Sequence, residues 1–322
     1  MKRLAEDWQR VEARLRSRRA SEETEEQCRA RSHGTAEEAD TALSLRAIGH
    51  ECLHRRGSSA SAYFECTSLR EYVLEKIIAR WSPEQIAVKL KREYPHDTSM
   101  HISHEAIYQY VYVLPRGGLK RSLIEGLRQE RAWRRKKYKG RSNEEKRGKI
   151  ADMLSIEERP LEVASRTVPG HWEGDLIMGK YKRSALGTLV ERTTRYTMLV
   201  PLKAKDAETV RKEYARALRA LPHDLAKTLT YDQGKEMSEH KQFTIDTGIT
   251  VYFAHPGSPW ERGTNENTNG LIRQFFPKGT EFDKTSLREI RHAQDLLNDR
   301  PRKVLDYEKP FEAFTKLVAL NS

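Results

Sequence analysis

Between Leu69 and Val113 the apolar positions recur at helical spacing. In "LREYVLEKIIARW", residues Leu69, Tyr72, Val73, Ile77 and Trp81 fall on one stripe. "SPEQIAVKLKREY" predicts a second helix with a marked start. Ser82 is a good N-cap, Pro83 suits the first helical position, and Gln85 completes a capping box. Its buried face is Ile86, Ala87 and Leu90. After the turn "PHDTSMHI" comes a third helix, "SHEAIYQYVYV", capped by Ser103, with Ile107, Tyr110 and Val111 turned inward. Two short helices joined by a turn behind a supporting helix describe a helix-turn-helix. The pattern alone is also that of an ordinary three-helix bundle with no ligand.

Beyond about Val168 the period changes. "HWEGDLIMG", "SALGTLVER" and "RYTMLVPLK" predict three strands joined by short turns. A helix follows over 206–221, "DAETVRKEYARALRAL", capped by Asp206 and stopped by Pro222. "KTLTYD" and "TVYFAH" are two further apolar strands, separated by a short polar helical segment. The stretch "SPWERGTNENTNGLIRQFFPKG" (258–279) and the amphipathic "SLREIRHAQDLLNDRP" come last. Such an order predicts an α/β fold, a mixed sheet covered by helices, preceded by an α-helical domain.

Charge changes this picture in two places. The 322 residues carry a formal net charge of +12, an excess that attracts polyanions, nucleic acid first among them. Residues 1–66 contribute nothing to it, with equal numbers of bases and acids, and they contain eleven Arg but only Lys2 among lysines. All three cysteines (Cys28, Cys52, Cys66) lie in that segment, too far apart for a disulfide framework or a zinc cluster, so a reducing cytoplasm is expected. No run of about 18 apolar residues is present to span a bilayer, and the start is not a secretory signal. The second place is "RAWRRKKYKGR" (131–141), where seven bases interleave with Trp133 and Tyr138. Between a helix-turn-helix and another domain, such a run suits tracking of DNA phosphates by Arg134, Arg135, Lys136 and Lys137.

Acids stand where strands should be apolar. Asp175 lies in the middle of "HWEGDLIMG" and Asp232 at the end of "LTYDQG". A buried carboxylate needs a cation beside it, and for one acid alone an Arg or Lys is the ordinary partner. Two acids on neighbouring strands suit Mg²⁺, which takes hard oxygen ligands and few of them from protein. The 258–279 stretch offers Glu261, in what reads as loop, and Glu266, where a helix starts. Glu266, Asn269, Gly270 and Arg273 share one face, bearing an acid, an amide, a gap and a guanidinium. Glu266 is therefore the expected third acid. Lys235 and His255, beside the expected site, read as structural or DNA-backbone contacts.

Asp175, Asp232 and Glu266, with 33 residues between the last two, resemble the DDE signature of transposases and retroviral-type integrases. "PGHWEGDLIMG", "ERGTNENTNGLIRQFFPKGT", "LNDRPRKVLDYEKPFEAF" and "WSPEQIAVKL…ISHEAIYQYVY" are similar to the insertion-sequence-thirty (IS-thirty) family of bacterial transposases, a resemblance running from about residue 69 to about 318. It implies an RNase H-like catalytic core with two Mg²⁺ (or Mn²⁺) ions about 3.5–4 Å apart. It also implies double-stranded DNA, both element ends and target, as substrate, and in-line phosphoryl transfer without a covalent protein intermediate. On the family's pattern Asp175 would bridge both ions, Asp232 holding one and Glu266 the other. Arg273 would hold a phosphate and Asn269 orient one. In the helix-turn-helix, Ser103, His104 and Gln109 would meet DNA. A homo-oligomer on DNA in the bacterial cytoplasm and nucleoid is the implied setting.

Four regions follow: an atypical N-terminal segment 1–66, a helix-turn-helix domain 67–128, a basic linker 129–166 and a catalytic domain 167–322. Residues 1–66 lack the family's further helix-turn-helix word and hold only eleven large apolar residues, with none from Arg16 to Ala42. So little burial cannot offset ordering entropy, and disorder is expected there. Two rival readings are a DNA-binding regulator or decayed remnant without catalysis, and a nuclease that cuts but does not join. Three convergent acids argue against the first.

Overall fold

The structure, a computed structural model, describes residues 67–114, 120, 123–124, 126–127 and 150–320. The segment 1–66 with its cysteines, and the basic run with Arg134, Arg135, Lys136 and Lys137, lie outside the described residues.

Three helices open the described chain: α1 (Thr67–Ile78), α2 (Pro83–Glu93) and α3 (His104–Val113). Most of the stripe read from the sequence is their core, with Leu69, Val73, Ile77, Trp81, Ile86, Leu90, Ile107 and Val111 buried together, while Tyr72 is half-buried at its edge and donates its hydroxyl to Glu93. Ser82 caps α2 in the expected reciprocal box: its backbone N–H donates to Gln85 Oε1 at 2.8 Å, and Gln85 N–H donates to its Oγ at 3.3 Å. Ser103 caps α3 by accepting from the Ala106 N–H at 3.1 Å. These caps satisfy backbone donors that each helix start would otherwise leave unpaired.

A six-stranded mixed sheet follows, in the order β1-β6-β5-β2-β3-β4. Its strands are β1 (Leu154–Ser155), β2 (His171–Met178), β3 (Ala185–Glu191), β4 (Thr197–Pro201), β5 (Thr228–Tyr231) and β6 (Thr250–Phe253). β2, β3 and β4 form an antiparallel meander, while β5 runs parallel to β2, β6 to β5 and β1 to β6. Parallel neighbours need crossovers. These are supplied by α5 (Ala207–Leu218) and α6 (His240–Thr247), after the short α4 (Leu161–Ser165). The chain ends in α7 (Gly263–Ile272), α8 (Leu287–Asp299) and α9 (Pro310–Leu320). The mixed, helix-covered sheet is the RNase H-like core that the sequence led us to expect. The two-residue β1 is too short to carry a period in the sequence.

Both faces of the sheet are covered, and every residue of β3 is buried. On one face Trp172, Leu189, Val200, Leu229, Val251 and Phe253 pack with Tyr214 of α5 and Phe243 of α6. On the other, Ile177, Leu186 and Leu199 pack with Leu271 and Ile272 of α7 and with Ile290 and Leu297 of α8. Strand period 2 fixes which residues of β2 face α7: Glu173, Asp175 and Ile177. Gly187 on β3 lets α5 come close, since a Cβ there would stand 2.5 Å from the Tyr214 ring. That approach brings the Tyr214 hydroxyl to donate to the Asp175 carbonyl oxygen at 2.7 Å, locking the backbone that carries the acid.

Candidate active site

The α7 face of β2 carries two carboxylates in succession. Glu173 is fully buried and closed: Arg192 Nη1 lies 2.7 Å from its Oε1, and the Asn265 N–H donates to its Oε2 at 2.9 Å. Asp175 is more open, its side chain 24% exposed. One oxygen accepts from its neighbour Leu176 N–H at 2.9 Å and the other from Asn269 Nδ2 at 2.8 Å. Burial pushes the Asp175 carboxyl above its ordinary range; Arg262 opposes the shift and the charge of Asp232 adds to it.

Asp232 follows β5 directly. β5 lies beside β2 with Thr230 opposite Glu173, so the last residues of β5 reach toward Asp175. Its Oδ1 accepts from the Gly234 N–H at 3.1 Å, which holds the turn after the strand. Between the two aspartates sits one guanidinium. Arg262 Nη2 is 3.2 Å from Asp232 Oδ2, and Nη1 is 3.6 Å from Asp175 Oδ1 while donating to the Gly174 carbonyl at 3.1 Å. Two acids 57 positions apart in sequence thus share one cation.

α7 lies along β2 and runs in the same direction. Asn269 donates to Asp175, and Arg273, one turn later, donates through Nη2 to the Met178 carbonyl at 2.9 Å. Residues 266, 269 and 273 fall within an arc of about 60° at 100° per residue. Glu266 is exposed on that arc, one turn before Asn269, and so belongs to the stripe that faces the aspartates. Among the described residues no three His, Cys, Asp or Glu side chains are gathered closely enough to hold one ion. Thr188 on β3 completes the seam, its hydroxyl lying 3.1 Å from the Asp175 carbonyl oxygen and 3.2 Å from Asn265 Oδ1.

The remaining expected residues fall in three places. Glu261, read as loop, lies in a 3₁₀ turn, Pro259–Arg262, and is bound to His255: its two oxygens meet the His255 N–H and Nδ1, each at 2.8 Å. Burial raises the Glu261 carboxyl, but those hydrogen bonds outweigh it and leave it below the ordinary range. Arg273, expected to hold a phosphate, instead directs its guanidinium to the carbonyls of Met178, Phe276 and Pro277. Asn269 orients a carboxylate, where orientation of a phosphate was expected. Lys235 lines a cavity of about 450 Å³ with Leu176, Met178, Lys205 and Glu236. The β2 wall of that cavity is the face opposite the Asp175 side chain. On α3, Ser103 is engaged as a cap, and His104 and Gln109 are exposed.

Sequence reasoning missed two residues. Arg262 reads as part of a loop, though it precedes Glu266 by one helical turn, the spacing that could have flagged it. Glu236, four residues after Asp232, has a carboxyl held above its usual range by burial and by the charges of Asp232 and Asp175.

The donor set suits a hard divalent cation. Asp175 and Asp232 offer carboxylate oxygens, and their place already accommodates the positive charge of Arg262 within 3.2–3.6 Å. Residues 166–259, which include both aspartates, match the Integrase core domain family. The chain is 45% identical over 240 residues, 74% of it and 70% of the relative, to the transposase for insertion sequence element IS1086 of Cupriavidus metallidurans. It is 42% identical over 252 residues, 78% of it and 66% of the relative, to transposase InsI for insertion sequence element IS30A of Escherichia coli K12. The transposase for IS4351 of Bacteroides fragilis is 37% identical over 255 residues, 79% of this chain and 75% of its own. Between a quarter and about a third of each relative's length thus lies outside the match. Among solved structures the catalytic core domain of BIV integrase is similar at 16% identity and a TM-score of 0.37, over 46% of this chain and 95% of that one. With an integrase core at its centre and relatives matched over about three quarters of its length, the chain belongs to the IS30 family of insertion-sequence transposases.

Proposed function

We propose that Asp175, Asp232 and Glu266 are the catalytic carboxylates with which this transposase cleaves the ends of its element and joins them to target DNA. The observation that carries the reading is the convergence of Asp175 and Asp232 on the single guanidinium of Arg262, beside the helix face that bears Glu266. Two acids held together only by a cation form a place for positive charge, and double-stranded DNA supplies the phosphodiester to be cut.

The three carboxylates would hold Mg²⁺ or Mn²⁺, two ions in the full arrangement. When bound, the metal lowers the pKa of an attacking hydroxyl and offsets charge on the leaving oxygen of an in-line displacement. The chain's own contribution is placement. Asn269 and the Leu176 N–H hold the Asp175 carboxylate in one orientation, and Tyr214 and Thr188 fix its backbone. The planar guanidinium of Arg262 has the chemistry to hold a phosphate as readily as two carboxylates. DNA recognition falls to the exposed side of α3, where His104 and Gln109 can reach base edges, and assembly as a homo-oligomer on paired ends is part of the same reading.

The test is cleavage and joining by the full chain. The substrate is a plasmid carrying the element's terminal repeats, in Mg²⁺, with DNA binding measured in parallel. Asp232→Asn should bind as wild type and neither nick nor join. Nicking that persists in Asp232→Asn would refute the assignment, and wild-type binding without any cleavage would favour the regulator.

A further inference from the structure

The hairpin between β2 and β3 ends in an unusual pair. Gly179 and Ser184 close it, with the Gly179 N–H donating to the Ser184 carbonyl at 2.8 Å, and the Arg183 N–H donates to the Lys180 carbonyl at 3.1 Å across the tip. The two residues between are Tyr181 (φ 51°) and Lys182 (φ 58°), both left-handed. This is the two-residue turn whose twist suits a hairpin, and Asn-Gly is the pair that meets it without strain. A tyrosine and a lysine held there instead indicate a demand on the side chains, since backbone strain collects at sites of function.

Those side chains form a platform. Tyr181 is 78% exposed and adds nothing to the core. Two cations lie over the ring, Lys180 Nζ at 5.5 Å and the Arg183 guanidinium carbon at 5.8 Å from its centroid, so a stacking base would take the place of one of them. The tip is fixed from behind. Lys180 N–H donates to the Thr280 carbonyl at 2.9 Å, Lys180 Nζ pairs with Glu281 at 2.8 Å, and Lys205 Nζ donates to the Lys182 carbonyl at 2.9 Å. Gly179 permits this fit, since a Cβ there would stand 2.8 Å from the Thr280 carbonyl oxygen. The Glu281 carboxylate is shared by Lys180 and Lys284, which leaves Lys182 and Arg183 to supply the outward charge.

We propose that this hairpin tip is a DNA-binding element in which Tyr181 stacks on an unpaired base while Lys182 and Arg183 hold the neighbouring phosphates. An exposed aromatic ring on a fixed tip, with cations in reach of its face, matches what single-stranded nucleic acid offers, a π-face beside a charged backbone. The distance is suitable. Tyr181 lies six residues beyond Asp175, three of strand and three of turn, at most about 20 Å at the rise of a strand. At the ~3.4 Å per nucleotide of a duplex strand that is at most about six nucleotides from a phosphate held at the aspartates. The inference rests on the reading of this protein as one that processes DNA.

The experiment uses the full chain and two probes: a fully paired 30-mer duplex, and the same duplex with a five-nucleotide single-stranded overhang carrying 2-aminopurine. The wild type should bind the overhang duplex several-fold more tightly and quench the 2-aminopurine. Tyr181→Ala should lose both the preference and the quenching, and Tyr181→Phe should keep both. Tyr181→Gly relieves the turn and serves as the folding control: its thermal midpoint should equal or exceed the wild type's while the preference is lost. Lys182→Gln with Arg183→Gln should weaken both probes and flatten the salt dependence. A wild type that binds both probes equally, a Tyr181→Ala variant that keeps the preference, or a Tyr181→Phe variant that loses it would each overturn the proposal. A wild type that binds neither probe would overturn the DNA-processing reading together with it.

Discussion

Two carboxylates stand two residues apart on one face of β2 and meet opposite surroundings. Around Glu173 the region is sealed: the acid has Arg192 at 2.7 Å, a backbone donor from α7, and no exposure. Around Asp175 it is open: the nearest cation is 3.6 Å away and shared with a second acid. A closed pair has its charge offset already and nothing to offer a ligand, so its work is to fasten α7 to the sheet. An open pair sharing one cation keeps unmet negative charge. The first is a device of the fold and the second of the site, and the strand alone distinguishes neither.

The largest effect should come from the open region and fall on activity. Asp175→Asn should lower cleavage by at least about a thousandfold, ~4 kcal/mol of transition-state stabilisation, and leave DNA binding unchanged. Its stability should move the other way. The Asp175 carboxyl is raised, so the metal-free fold is favoured while that group is protonated and loses this contribution as pH rises through the raised value. Asn cannot ionise. Thermal midpoints in chelator should therefore place Asp175→Asn above the wild type at neutral pH, the two converging in acid below the ordinary carboxylate range.

Breaking the sealed region should act on stability first. Glu173→Ala leaves Arg192 buried without its partner and should destabilise the fold by about 3–5 kcal/mol, read by urea unfolding. If Glu173→Ala instead keeps its stability and loses only cleavage, the contrast between the two regions fails. The shared cation can be tested without any turnover. Arg262→Gln should bind Mn²⁺ about tenfold more tightly by calorimetry, ~1.4 kcal/mol, because a guanidinium no longer competes for the aspartates. Unchanged or weaker affinity would make Arg262 a structural fastener like Arg192.

The smallest effect marks the scale. Glu84 of α2 pairs on the surface with Lys303 at 2.8 Å and accepts from the Tyr307 hydroxyl at 2.8 Å, linking the helical region to the segment before α9. Its side chain is 51% exposed, and Glu84→Gln should cost less than about 1 kcal/mol in urea unfolding.

Residues whose reasons are local were legible in the sequence. Ser82, Pro83 and Gln85 announce a helix start within four positions, and Asp206 does the same for α5, its side chain accepting from the Thr209 N–H at 2.9 Å. The alternation through "HWEGDLIMG" set β2 and drew attention to an acid inside it. What stayed hidden depends on partners distant along the chain. Arg262 acquires its meaning from Gly174, Asp175 and Asp232, 88, 87 and 30 positions away, and the sequence around it reads as a loop. Arg273 was read from the face it shares with Glu266. The carbonyl at the end of β2 to which it donates belongs to tertiary packing and leaves no trace in local spacing. Tyr181 carried no signal at all, because a turn with two left-handed residues is expected from Asn-Gly and is not read from Tyr-Lys.

The choice between the two acids of "WERGTNEN" tests the catalytic assignment most directly. Glu261 is bound to His255, whereas Glu266 is exposed on the face that carries Asn269 to Asp175. Strand joining in Mg²⁺ should be measured for Glu266→Gln and Glu261→Gln side by side, with end binding as the control. Glu266→Gln should abolish joining while binding is retained, and Glu261→Gln should keep most of the wild-type rate. Full joining by Glu266→Gln, with loss in Glu261→Gln, would contradict the assignment and move the third carboxylate to the other side of Arg262.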